Sequence, residues 1–203
     1  LDTGFELEPG IKTVMGIEGH CLIRISDNGL EPNQLQVVMP TSYATANFTD
    51  ATTCLIPANE WTHIAVTCDV GTGHLVVYIN GETVLDKTGN QFVPVNLGQP
   101  KADAQQKDHF FHIGYSYAAG RELHGEICEV RIWNTVRTQE QIAANVYEVD
   151  PASEGLVAYW KFDEGSGETI RDHTGNNNSG SAHETLKWNQ VSLPEAPSGD
   201  GDN

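Results

Sequence analysis

Carboxylates are the side chains of this 203-residue chain with the widest choice of chemistry, 28 Asp and Glu against 11 Lys and Arg. Retaining hydrolysis of a sugar bond needs two of them on one face, about 5 Å apart. On a strand that requires even spacing, because alternate side chains point to opposite faces. The nearest candidate is Glu126-Ile-Cys-Glu-Val-Arg131. Glu126 and Glu129 have opposite parity, so an ordinary strand would point them apart, which argues against a glycosidase. Nucleophile elbows, HExxH and phosphate loops are absent, so nothing points to an enzyme. Cys21, Cys54, Cys68 and Cys128 show no CxxC and no zinc spacing. Cys21, Cys68 and Cys128 stand in apolar strand-like runs, where a cysteine is expected as a small buried hydrophobe. Free thiol or disulfide stays open.

A second set of oxygen donors lies in Asp163–Asn178, where Asp-Glu-Gly-Ser-Gly is followed by Asp-His-Thr-Gly-Asn-Asn-Asn. Calcium takes about six to eight such oxygens, backbone carbonyls among them. The same residues also make turns with no ion, since Asp and Asn bond their own backbone and Gly supplies positive φ. Asp172 could equally pair with Arg171 or cap the turn.

The elements that must position these groups read as strands. His20–Ile25, Gln34–Met39, Trp61–Cys68, His74–Ile79 and Glu82–Asp86 are short β-rich runs between polar turns. Asn80-Gly81 is the strongest of the turns, because a type I′ hairpin needs φ > 0 at both central positions. Residues 87–109 form a long polar connection, and 116–125 a second one. Phe110–Tyr115, Glu126–Trp133 and Gly155–Phe162 read as further strands, with a last one near Leu186–Trp188. Thr138-Gln-Glu-Gln141 is a capping box opening one short helix over 138–147. This predicts an all-β chain, an antiparallel two-sheet sandwich with one short helix. No composition break marks a second domain, so one domain is expected over 1–195, with a flexible tail over 196–203.

The formal charge of −17 argues against nucleic acid and anionic membrane surfaces as partners. It suits cations or neutral partners, or solubility alone. No apolar stretch approaches the length of a transmembrane segment. The chain opens at Leu1 rather than Met and reads as a fragment, so a targeting signal is expected upstream.

Three segments together resemble a known family. Glu60-Trp-Thr-His-Ile-Ala-Val-Thr with His74–Gly81 is similar to a hairpin of laminin-G-like and pentraxin domains. Phe111-His-Ile-Gly114, Leu123–Trp133 and Arg137–Ile142 are similar to their next segment. Leu156–Gly167 and Asp172-His-Thr-Gly-Asn176 are similar to the "Y-W-x-F-D-E-G-S-G … D-x-S-G-N-G-N" segment, which usually opens such a domain and here closes it. The resemblance is to the concanavalin A-like jelly roll of bacterial surface proteins. It implies a secreted or cell-surface protein, outer-membrane-anchored through an upstream region and part of a larger multidomain chain.

By that resemblance the function is non-catalytic binding, with a glycan or glycoprotein as partner. The alternatives are a structural or protein-adhesion module and, last, a glycoside hydrolase. The fold's glycosidases carry Glu-x-Asp-x-Glu, and here Cys128 stands at the middle acid. Sugars stack on loop aromatics beside planar polar side chains, which points to Tyr43, Tyr115, Tyr117, Arg121 and Trp188. The connections over 87–122 are the expected ligand surface, since sites are built on loops held by rigid scaffolds. The resemblance also implies calcium at Asp172, Gly175, Asn176 and Asn178.

Overall fold

The computed structural model describes residues 10–27, 29–42, 44–102, 108–115 and 120–193. The chain divides into two compact units, one ending at Glu126 and the other beginning at Ile127. That boundary falls inside the run the sequence reads as a single strand, Glu126–Trp133.

In the first unit the larger sheet has five antiparallel strands: β1 (Lys12–Ile17), β2 (Cys21–Ile25), β3 (Leu35–Pro40), β4 (Thr45–Phe48) and β10 (His112–Ile113). Their order is β10-β1-β2-β3-β4. A meander of β5 (Ile64–Asp69), β6 (His74–Ile79) and β7 (Glu82–Lys87) forms a second sheet, and β8 (Lys101–Ala102) pairs with β9 (Asp108–His109). Val14, Ile25, Leu35, Val37, Met39 and Phe48 of the larger sheet share one core with Leu75, Val77 and Leu85 of the meander. Each such side chain contributes about 1.5–3 kcal/mol by leaving water. The unit is therefore an antiparallel sandwich. Phe92 joins this core from the connection the sequence reads as polar, meeting the Phe48 ring edge-on at 5.6 Å.

Local sequence chemistry accounts for the turns. Asn80 and Gly81 have φ of 52° and 84°, the positive pair a type I′ hairpin requires. Asn80 also binds the chain before β5: its Oδ1 accepts from His63 N at 2.8 Å and its own N–H donates to His63 O. The cysteines are free thiols. Burial pushes Cys21 and Cys68 each up to about 11, so both stay protonated and unreactive near neutrality.

In the second unit β11 (Val130–Trp133) pairs antiparallel with β12 (Leu156–Trp160), and β13 (Thr169–Ile170) with β14 (Gly180–Ser181). The one helix described, α1 (Gln139–Ala143), starts at the expected capping box, with the Thr138 and Gln141 side chains each accepting from the other's backbone N–H. It is shorter than the 138–147 the sequence predicts. Arg131 explains the difference, because its guanidinium takes the carbonyls of Asn145 at 2.6 Å and Tyr147 at 2.7 Å and draws the chain away from the helix. The strand expected near Leu186–Trp188 does not form. The chain there is mostly exposed, and the pairing goes to Gly180–Ser181 instead.

Gly16 sets how closely β1 and β2 approach. Its φ is 134°, and a Cβ there would stand 2.2 Å from Cys21 O. Gly16→Ala is expected to lower the unfolding free energy by at least about 3 kcal/mol, through strain at that φ and displacement of β2. Gly98→Ala, where the nearest atom is a side-chain oxygen at 3.4 Å, serves as the near-neutral control in urea unfolding.

Candidate functional site

Two regions carry the polar side chains of interest, one in each unit. In the first unit the connection after β10 is bonded along the edge of β1. Gly114 N donates to Val14 O at 2.8 Å, Thr13 N to Arg121 O at 2.8 Å, and Leu123 N to Gly114 O at 2.9 Å. Lys12 is buried and its Nζ donates to Gly120 O at 3.1 Å. Both ends of the connection are thus held by a strand of the larger sheet.

Arg121 Nη1 lies 2.7 Å from Glu18 Oε1, with 31% of the Arg121 side chain and 10% of the Glu18 side chain exposed. The guanidinium therefore has a fixed orientation while keeping part of its surface in water. The half-buried Tyr115 ring meets His112 edge-on at 5.4 Å. The expected residues Tyr115 and Arg121 thus belong to one strand-anchored connection. Tyr43 and Tyr117 lie outside the described residues.

In the second unit a buried network links the two paired strands. The Tyr159 hydroxyl donates to Glu129 Oε2, and Arg131 Nη2 reaches the same oxygen at 2.7 Å. Arg131 also lies over the Tyr159 ring at 5.3 Å. Burial first, and then the Glu129 carboxylate, push the Tyr159 hydroxyl up to about 12. The parity expected of Glu126 and Glu129 needs correction, because β11 starts only at Val130 and Glu129 has φ of 56°. Glu129 is held by Arg131 and Tyr159 instead.

Asp172 is buried, and its carboxylate accepts four hydrogen bonds. Oδ1 takes Tyr159 N at 3.1 Å, Thr174 N at 3.0 Å and Thr174 Oγ1 at 2.8 Å, while Oδ2 takes Asn178 N at 2.9 Å. These bonds cap the turn, the alternative the sequence offers to a pairing with Arg171. Asn176 Nδ2 and Asn178 Nδ2 donate to Val157 O at 3.0 and 2.9 Å. Gly175 supplies the turn, with φ of 78°. Calcium needs several converging free oxygens. The Asp172 carboxylate is already committed to three backbone amides and the Thr174 hydroxyl, and the Asn side chains are oriented by their N–H groups onto a strand carbonyl, so Asp172 works as a loop staple. Trp188 Nε1 donates to Gly167 O at 3.4 Å, on the turn preceding this staple.

Residues 10–143 match the sequence profile of the concanavalin A-like lectin/glucanases superfamily. The chain belongs to that superfamily. One solved structure similar to it is a protein of Bacteroides ovatus provisionally described as carbohydrate binding. The likeness has a TM-score of 0.72 and 30% identity, and covers 91% of this chain and 51% of that one. The chain thus spans about half the length of that relative. An S-layer domain-containing protein from Clostridium thermocellum is also similar, at a TM-score of 0.34 and 18% identity over 69% of this chain and 64% of that one. No curated protein matches. The superfamily accounts for the antiparallel sandwich. No described helix is long and apolar enough to cross a membrane.

Capping the turn, one of the two roles the sequence allows Asp172, is the one the structure shows, and its reach to β12 is the part the sequence missed. The signal for the cap was the Asp-His-Thr-Gly-Asn spacing, which puts a carboxylate within reach of amides two and six residues on. Burial pushes the Asp172 carboxyl up, but the donors from Thr174, Asn178 and Tyr159 outweigh it and hold the group below its usual range. A depressed folded pKa stabilises the protein above the unfolded value, about 3.9, and the gain is lost as pH falls through the folded value. Asp172→Asn is therefore expected to cost about 3 kcal/mol at pH 7. The gap from the parent in urea unfolding should close as pH falls below about 4.

Proposed function

We propose that this chain is a non-catalytic, carbohydrate-binding module of a secreted or cell-surface protein with further domains. The observation that carries the reading is the likeness to the Bacteroides ovatus protein, at 30% identity over 91% of this chain. The Tyr115–Arg121 connection is the proposed ligand surface. It presents an aromatic ring and an oriented guanidinium on backbone fixed to β1, the combination sugar sites use for stacking and directional hydrogen bonds.

Two placements support binding over hydrolysis. Glu129 is bonded to Arg131 and Tyr159. Asp163 and Glu164 are close, but Glu164 Oε2 is shut off from solvent and cannot reach a sugar.

The test is a glycan array followed by calorimetry on each hit. Binding to at least one glycan class is expected, with Tyr115→Ala weakening it at least about tenfold, or 1.4 kcal/mol, at an unchanged melting temperature. Silence on the array with capture of a purified surface protein would favour an adhesion module. Release of reducing ends from β-glucans or galactans would make the chain an enzyme.

A further inference from the structure

Asp163, Glu164 and His173 of the second unit bring one ligand atom each within 4.8 Å of one another. Each is placed by a separate feature of the chain. Phe162 leaves β12 with φ of 61°, a conformation a bulky residue seldom adopts, and so redirects the two acids that follow it. Glu164 is held by its Oε1, which accepts from Arg171 N at 2.7 Å. His173 is held by its backbone N–H, which donates to Tyr159 O at 2.8 Å.

Glu164 Oε2 and His173 Nε2 are sealed from solvent, and neither has a hydrogen-bond partner among the described residues. Burying such atoms without a hydrogen bond is costly, and a shared cation would bind both at once. Asp163 Oδ1 lies 3.4 Å from His173 Nε2, an ion-pair contact without a hydrogen bond. Bonds of about 2.1 Å in tetrahedral array put ligand atoms about 3.4 Å apart, so this edge already has the spacing of a zinc site. The Asp163 side chain is 59% exposed, which leaves a path for an ion to enter and room for water to complete the coordination.

We propose that Asp163, Glu164 and His173 bind a divalent transition-metal ion of the zinc class. An imidazole with two carboxylates suits zinc or cobalt. Calcium prefers an all-oxygen cage of about six to eight donors. The ion would tie the turn after β12 to the Asp172–Asn178 staple, joining two segments that lack strand pairing of their own. Metal binding is independent of the glycan-binding reading.

The experiment uses the full chain, stripped with EDTA, and the metals alone as probes. Zinc at a hundredfold excess over its Kd should raise Tm by about 5–10 °C. Cobalt should give visible d–d absorption titrating to one equivalent. His173→Ala and Glu164→Gln should each weaken cobalt binding at least tenfold. The Glu164→Gln side chain keeps a carbonyl oxygen for Arg171 N. Should either variant unfold, Asp163→Asn, at an exposed position, provides the same reading. The absence of both the cobalt spectrum and the zinc shift would overturn the proposal. So would equal metal binding by all three variants, which would place the ion on another histidine. A calcium shift without a zinc shift would point to a hard-oxygen site elsewhere and would also overturn it.

Discussion

Wherever a strand lacks a neighbour along part of its edge, its amides and carbonyls need other partners, and both units are organised around that requirement. In the first unit β10 is only two residues long, too short to cover β1. The connection that follows supplies what is missing, with Arg121 O taking Thr13 N and the Lys12 side chain returning to Gly120. In the second unit β12 pairs, among the described residues, with β11 alone. The Asp172 carboxylate takes the amide of Tyr159, and the Asn176 and Asn178 amides take the carbonyl of Val157. A two-stranded ribbon is marginal by itself. The loop makes it a folded element by acting as a third strand made of side chains.

The same requirement explains where strain collects. Glu129 and Phe162 both have positive φ, and they flank the Val130–Trp160 end of the β11–β12 pair. Beyond that level only a long bond from Glu129 N to Lys161 O, at 3.4 Å, continues the pairing before both chains turn away. Such conformations cost of order 1–3 kcal/mol each and persist only when surrounding bonds determine them. At Glu129 those bonds are the Arg131 guanidinium and the Tyr159 hydroxyl. At Phe162 the turn leads into Asp163 and Glu164, and Glu164 fixes it by binding Arg171 N.

Features set by a few consecutive residues were legible in the sequence. The Asn80-Gly81 turn and the Thr138 capping box follow from backbone preferences of those residues alone, and both formed as expected. So did the central strands, whose apolar patterns are strong. What was not legible depends on partners distant in sequence. β1 carries Lys12, Thr13 and Gly16 and so lacks a strong strand pattern, yet it is the strand to which the Tyr115–Arg121 connection is bonded. Phe92 sits in a polar-looking run and packs in the core. Strand alternation failed at Glu129 because nothing local shows that Val130 is where pairing begins. Tyr115 and Arg121 were identified from loop composition. Their connection's anchorage was not, since it uses backbone groups and the side chains of Lys12 and Glu18, about a hundred residues away in sequence.

The Asp172–Asn178 loop separates two kinds of residue. Asp172, Thr174, Asn176 and Asn178 each use a side chain to bond the loop or β12. The staple therefore tolerates little change at those positions. His173 differs: the loop uses only its backbone N–H, bound to Tyr159 O, and leaves the imidazole to the cluster with Asp163 and Glu164. A position whose backbone is fixed by the loop while its side chain is not needed for the staple is where a rigid loop can acquire new chemistry at little cost in stability. Asp172 and His173 are neighbours with opposite roles for that reason. One carboxylate is saturated by the fold, and the imidazole next to it retains its capacity to bind.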